Sequence, residues 1–180
     1  MGIRRAVRAS DLCTIPLLCD PDYQARRVAL VRGDGDDAGI RSRAEAAEAD
    51  EARFASTLDP ACLAVDLDGV ARVTVRALTG ADFARIEGDA ALAVVALKLK
   101  SDAERARRLT SLMIDATLAA ALVDSGVDGL PIAQSAPYPV AALSGNGGIG
   151  PLWPAYAREV YERIVTFSTL GESDGSSPAP

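Results

Sequence analysis

Apolar positions along this chain change their spacing several times, and each change predicts an element. Residues 1–21 carry the run Leu12-Cys13-Thr14-Ile15-Pro16-Leu17-Leu18, which is too short for a helix and is cut by proline. It reads as an extended arm with apolar anchors. Arg26-Arg27-Val28-Ala29-Leu30-Val31-Arg32 reads as a short strand that ends at the turn signal Gly33-Asp34-Gly35. Ser42 to Ser56 has the Ala, Glu and Arg content of a helix, with Phe54 as its one bulky apolar residue and Asp59-Pro60 as its stop.

From residue 62 to 78 the period becomes two. Leu63, Val65 and Leu67 alternate with small or acidic residues, Asp68-Gly69 intervenes, and Val70-Ala71-Arg72-Val73-Thr74-Val75-Arg76 follows. Asp-Gly between two β-rich runs predicts a hairpin. Thr79-Gly80-Ala81-Asp82 resembles a capping box and opens a short helix through Glu87. Gly88-Asp89 then resets the chain ahead of a largely buried helix from Ala90 to Lys100. A strand is the alternative there, because Leu97 and Leu99 alternate with the lysines. Ser101-Asp102-Ala103-Glu104 caps the next helix, in which Leu109, Leu112, Met113, Ala116, Ala119, Ala120 and Val123 follow helical spacing to an end near Ser125-Gly126.

Leu130 to Gly150 is a long Gly/Pro loop, a type usually functional or ordered by a partner. Pro154 starts a last helix, about residues 154–168, with Tyr156, Val160, Ile164 and Phe167 on one face. Residues 171–180 have the composition of a flexible tail. The expected fold is therefore α+β: a short antiparallel β-hairpin followed by a helical bundle (helices over about 80–125 and 154–168), with an extended N-terminal arm. Its domain runs from 22 to 170.

Composition sharpens this picture. Apolar residues make up 49% of the chain but aromatics only 4%, and alanine is the commonest of the apolar residues. Alanine favours helix while burying little surface, which predicts a thin core supported by partners. A net charge of −6 argues against general nucleic-acid binding, which needs a basic footprint; Arg4, Arg5 and Arg8 are a small basic arm. The longest uncharged stretch, 129–157, holds five glycines and five prolines and so predicts no membrane span. Asp11 and Pro16 interrupt the apolar stretch nearest the start, so no secretory signal is read there and a cytoplasmic location is expected.

Candidate chemistry is sparse. The chain has no histidine, which removes the commonest general base and metal ligand. Cys13, Cys19 and Cys62 lack the spacing of a disulfide framework or a zinc site and read as inert thiols. Asp66 and Asp68, at i and i+2 on the expected hairpin, read as a solvated face plus a turn residue. The string Gly145-Asn146-Gly147-Gly148-Ile149-Gly150 matches a dinucleotide-binding pattern but lacks the strand and helix that pattern requires. Asp34, Asp36, Gly39 and Glu45 fall on calcium-loop positions, yet Ala38 stands where an oxygen ligand is needed. No enzymatic activity, cofactor or metal is expected.

The stretch Val65-Asp66-Leu67-Asp68-Gly69-Val70-Ala71-Arg72-Val73-Thr74-Val75-Arg76-Ala77-Leu78-Thr79-Gly80-Ala81-Asp82-Phe83 resembles tail assembly chaperones and related accessory proteins of long-tailed bacteriophages. In that family a short hairpin leads through a Leu-Thr-Gly-x-Asp turn into helices. The C-terminal pattern is also similar: Leu122-Val123-Asp124 and Gly126, a loop, then a proline-started helix ending in Phe167-Ser168-Thr169-Leu170-Gly171-Glu172. The resemblance covers roughly residues 60–172.

It implies a phage structural or assembly protein that binds other tail, connector or capsid proteins, or itself as an oligomer, in the host cytoplasm or in the finished virion. The alternative is a cellular protein-binding adaptor or regulator. The residues expected to bind partners are Ile15, Leu17 and Leu18 of the arm, Tyr138, Val140 and Leu143 of the loop, and Trp153 and Tyr156 at the start of the last helix, the alternative for this last pair being to staple the helix to the core.

Overall fold

The strand that organises the sheet is β2 (Arg72–Arg76), where Val73 and Val75 point inward and their neighbours outward. Its partners come from far away in the chain. Strand β1 (Leu12–Pro16) pairs with it antiparallel, Leu12 opposite Arg76 and Pro16 opposite Arg72. Strand β3 (Leu122–Ser125) pairs antiparallel on its other side, with a bulge between Thr74 and Val75. The sheet order is β1-β2-β3. A computed structural model describes residues 11–33, 36–125 and 153–170.

Among the described residues five α-helices complete the α+β fold: α1 (Pro21–Arg32), α2 (Asp37–Thr57), α3 (Gly80–Ala96), α4 (Asp102–Ala121) and α5 (Trp153–Thr169). Local sequence explains each start. Asp20 caps α1 by accepting the N–H groups of Asp22 and Tyr23, and Pro21 stands in the first turn, where its missing N–H costs nothing. Thr79 and Asp82 form a reciprocal capping box at α3. Ser101 caps α4 by accepting the Glu104 N–H.

The core gathers around the sheet. Ile15, Leu17, Phe54, Val73, Val75, Leu118, Leu122, Val160 and Ile164 are nearly inaccessible to solvent. Tyr156, Val160, Ile164 and Phe167 are all buried, so α5 presents the face its spacing predicted. A smaller cluster of Tyr23, Val65 and Val70 sits apart from this core. A third, of Ala90, Val94 and Leu112, joins α3 to α4.

The fold corrects several readings. Arg26–Arg32 is not a strand but the second half of α1. The alternating Leu63-Val65-Leu67 run is not a strand either; Asp68-Gly69 does turn, with Gly69 at φ +74°, but it leads β2 to long-range partners instead of a hairpin mate. Val65 is buried with Tyr23 and Val70, and Leu63 and Leu67 pack against the same cluster, so the alternation marks the inward face of a loop. Gly88-Asp89 does not reset the chain. Gly80 to Ala96 is a single helix, because Gly88 is exposed and an exposed glycine costs a helix only about 1 kcal/mol. The helix after Ser101 stops at Ala121, and Val123 belongs to β3.

Candidate protein-docking surface

The residues expected to bind partners fall into three groups. Ile15 and Leu17 are fully buried in the chain's own core, and Leu18 is half-buried beside it, so the described part of the arm is an edge strand and its continuation. The correction has a simple cause: paired to β2, the run acquires an inner face that its short length hid. Tyr156 is also buried, and its hydroxyl donates to Asp20 Oδ2 at 3.2 Å. Trp153 opens α5. Tyr138, Val140 and Leu143, like the glycine-rich string 145–150, lie outside the described residues.

Beneath the turn from β1 to α1 lies a buried polar network. Glu159 of α5 accepts the N–H groups of Leu18 and Cys19, one on each carboxylate oxygen, both at 2.8 Å. Arg163 pairs with Glu159 at 3.3 Å and lies over the Phe54 ring, 5.0 Å from its centre. Asp20 caps α1 with one oxygen and takes the Tyr156 hydroxyl with the other. Glu51 receives both the Tyr23 hydroxyl at 3.0 Å and Arg27 Nε at 2.6 Å.

Burial raises the Tyr156 hydroxyl to about 12, helped by Asp20. Burial, followed by a hydrogen bond to Glu159, also pushes the Cys19 thiol up. A thiol shifted this way stays protonated at neutral pH and is a poor nucleophile. Each carboxylate in the network already holds a backbone or side-chain donor, which describes a structural brace.

The acidic motifs resolve similarly. Asp66 accepts the Asp68 N–H and pairs with Arg26 at 3.1 Å, and Asp36 caps α2 by accepting the Gly39 N–H. Gly39 and Glu45 therefore lie on a helix and not in an ion-binding loop. Among the described residues no group of three or more Cys, Asp or Glu side chains is placed to hold a metal ion. No helix there is long and apolar enough to cross a membrane.

An open surface appears instead at the far end of the α3–α4 pair. Only Ala90, Val94 and Leu112 are buried there, so one narrow seam holds the two helices together. The opposite face of α3 leaves Leu92 71% and Val95 75% exposed, with Leu97 at 48% beyond its last turn. The sequence pattern predicts a largely buried segment here, and the structure leaves one side of it open. Its apolar content is the same either way, and only the partner face of α4 decides which residues are covered.

Between the helix ends lies a cleft of about 310 Å³ lined by Val94, Val95, Lys98, Leu99 and Arg105. Lys98 adopts a left-handed conformation, φ +50°, as the chain leaves α3. Arg105 donates to the Leu99 carbonyl and pairs with Asp102 at 2.9 Å. A second, wider depression of about 520 Å³ is lined by Ser101, Glu104, Arg107, Arg108 and Ser111 on α4. Compared with protein-family models, curated proteins and solved structures, the chain matches none.

Proposed function

We propose that this chain is a non-catalytic phage structural or assembly protein that binds other tail, connector or capsid proteins, with the end of the α3–α4 pair as its contact surface. The observation that carries the binding role is the exposure of Leu92 and Val95 on the open face of α3, with Leu97 exposed just past its end. Scattered exposed apolar residues are ordinary, but three within six positions beside an apolar cleft mark an interaction site. The lack of catalytic chemistry is supported by the carboxylates of Asp20, Glu51 and Glu159, each of which holds donors that brace the fold.

The phage assignment is supported by the resemblance over residues 60–172. Its second half fits the fold well: β2 leads through Leu78-Thr79-Gly80-Ala81-Asp82 directly into α3. Its first half, the hairpin, does not. The protein would act in the host cytoplasm during assembly and either leave or remain in the particle.

Two measurements test this reading. Mass spectrometry of purified particles and of assembly intermediates should find the chain with tail or capsid proteins. Neighbouring tail or capsid genes should accompany its gene. A gene embedded in a metabolic operon, with no co-purifying virion protein, would overturn the phage role in favour of a cellular adaptor.

A further inference from the structure

We infer that the end of the α3–α4 pair docks an acidic amphipathic helix of a partner protein, with its apolar face on Leu92 and Val95 and its carboxylates against Lys98 and Lys100. The inference rests on reading the chain as a protein-binding one and adds the chemistry of the partner.

Charge is the first argument. Around the cleft, Arg105 is paired with Asp102, whereas neither Lys98 nor Lys100 makes an ion pair among the described residues, in a chain of net charge −6. Both lysines of the chain lie here, and both are exposed. The basic residues follow directly on the exposed apolar ones, so a partner must satisfy both at once.

Shape is the second argument. Leu92 and Val95 stand at i and i+3, and the cleft beside them runs between two antiparallel helix ends with Lys98 and Arg105 at its rim. A helix laid there presents its own apolar residues at helical spacing and its acidic residues along the flanks, which is the helix-in-groove mode of recognition.

Competing occupants fit less well. In a second copy of this chain, the other exposed large apolar residues among those described are Leu12, Val28, Leu30 and Val123. The α1 pair lies among Arg26, Arg27 and Arg32, which would set like charge against like. The helix richest in acid, α2, buries Phe54 and exposes no large apolar residue. An anionic bilayer is disfavoured for a different reason. A helix samples only the local field, which decays over about 8 Å at physiological salt, whereas a flat lipid surface meets a broad face of an acidic protein.

The test uses the purified full chain and a fluorescein-labelled synthetic helix with leucine on one face and glutamate on the other. Controls are the same helix with lysine replacing glutamate and a sequence-scrambled glutamate peptide. The glutamate helix should bind, weaken as salt rises, and lose roughly tenfold or more in affinity on Val95→Asp, as expected of a central interface residue. Lys98→Glu should weaken it as well.

Both positions are exposed, and matching far-ultraviolet circular dichroism and unfolding midpoints will establish that the variants fold. No binding, equal binding of the scrambled or lysine peptides, or indifference to Val95→Asp would overturn the inference. So would preferential binding to phosphatidylglycerol vesicles, or self-association abolished by Val95→Asp. The two readings fail separately: if the glutamate helix does not bind while Val95→Asp still abolishes co-purification with virion proteins, the docking inference falls alone; if Val95→Asp protein still co-purifies, this surface falls from both readings; and if the parent chain never co-purifies, the assembly role falls.

Discussion

The carboxylate of Glu159 accepts the backbone N–H of Cys19 at 2.8 Å across 140 residues of chain. Its other oxygen takes the Leu18 N–H, and Arg163 one turn further along α5 completes the pair. One side chain thus ties the last helix to the turn that leaves β1. Replacing it with glutamine would keep the shape but aim an amide N–H at a backbone N–H, and would strip Arg163 of its counter-charge. Glu159→Gln should therefore cost about 2–4 kcal/mol of stability in urea unfolding. Glu162→Gln breaks an exposed pair with Arg158 and should stay within about 0.5 kcal/mol of the parent. Equal midpoints for the two variants would refute the brace.

Gly69 is the second test: the turn needs a positive φ, as the Asp-Gly pair predicts, although it feeds a long-range sheet and not a hairpin. It holds φ at +74° in the turn between Asp68 and Val70, and a Cβ there would meet Arg26 at an ordinary 3.7 Å. The cost of Gly69→Val is thus conformational strain more than collision. Forcing a β-branched residue into the left-handed region should destabilise the protein by about 1–2 kcal/mol. Gly80 and Gly88 have no neighbour within 4 Å and no positive φ, so Gly88→Ala should be neutral or slightly stabilising.

Why some of the fold was legible and some was not follows from the range of the interactions involved. Thr79 with Asp82, the Ser101 cap on the Glu104 N–H, and the Tyr156-Val160-Ile164-Phe167 face are encoded within a few residues and are present in the structure, although Glu104 does not return the bond that a full capping box at Ser101 would make. The helix start at Asp20-Pro21 was equally local and could have been found; the β-rich look of Arg26–Arg32 obscured it. The partners of β2, by contrast, lie about 50–60 residues away in the chain, and no local pattern announces them. The docking surface was hidden for a related reason. Ala90–Lys100 is apolar on several sides, and which side stays open depends on where α4 lies.

Two aspartates predict opposite responses to pH. Backbone and side-chain hydrogen bonds from Thr79 hold Asp82 below the usual carboxylate range. Its contribution to stability is therefore present above the unfolded value near 3.8 and fades as pH falls through the lowered folded one. Burial raises Asp115, opposed by a smaller attraction from Arg108. Its contribution is largest below 3.8 and is lost as pH rises through the raised folded value. Asp115→Asn should then raise the unfolding midpoint at pH 7 and match the parent near pH 3. Asp82→Ala should lower it at pH 7 by about 0.5–1 kcal/mol, the usual worth of a cap. An Asp115→Asn variant less stable than the parent at pH 7 would mean that the Arg108 attraction outweighs burial.

The N-terminal strand gives the sharpest separation between a core element and a partner-seeking arm. Ile15 is fully buried, whereas Leu12, on the same strand, is 59% exposed. The antiparallel register places Ile15 opposite Val73, and Leu17 donates its N–H to the Ala71 carbonyl, so the strand is stitched to β2 along its length. If it belongs to the folded monomer, Ile15→Ala should cost about 2–4 kcal/mol, while Leu12→Ala should cost well under 1. Limited proteolysis gives the matching readout in the free protein: bonds between Leu12 and Leu18 should be cut only as fast as the whole domain unfolds. An arm that awaits a partner behaves differently. It would be cleaved quickly while β2 and α5 stayed intact, and Ile15→Ala would leave the unfolding midpoint unchanged. Either outcome would detach β1 from the core and return Ile15 and Leu17 to the partner-binding surface.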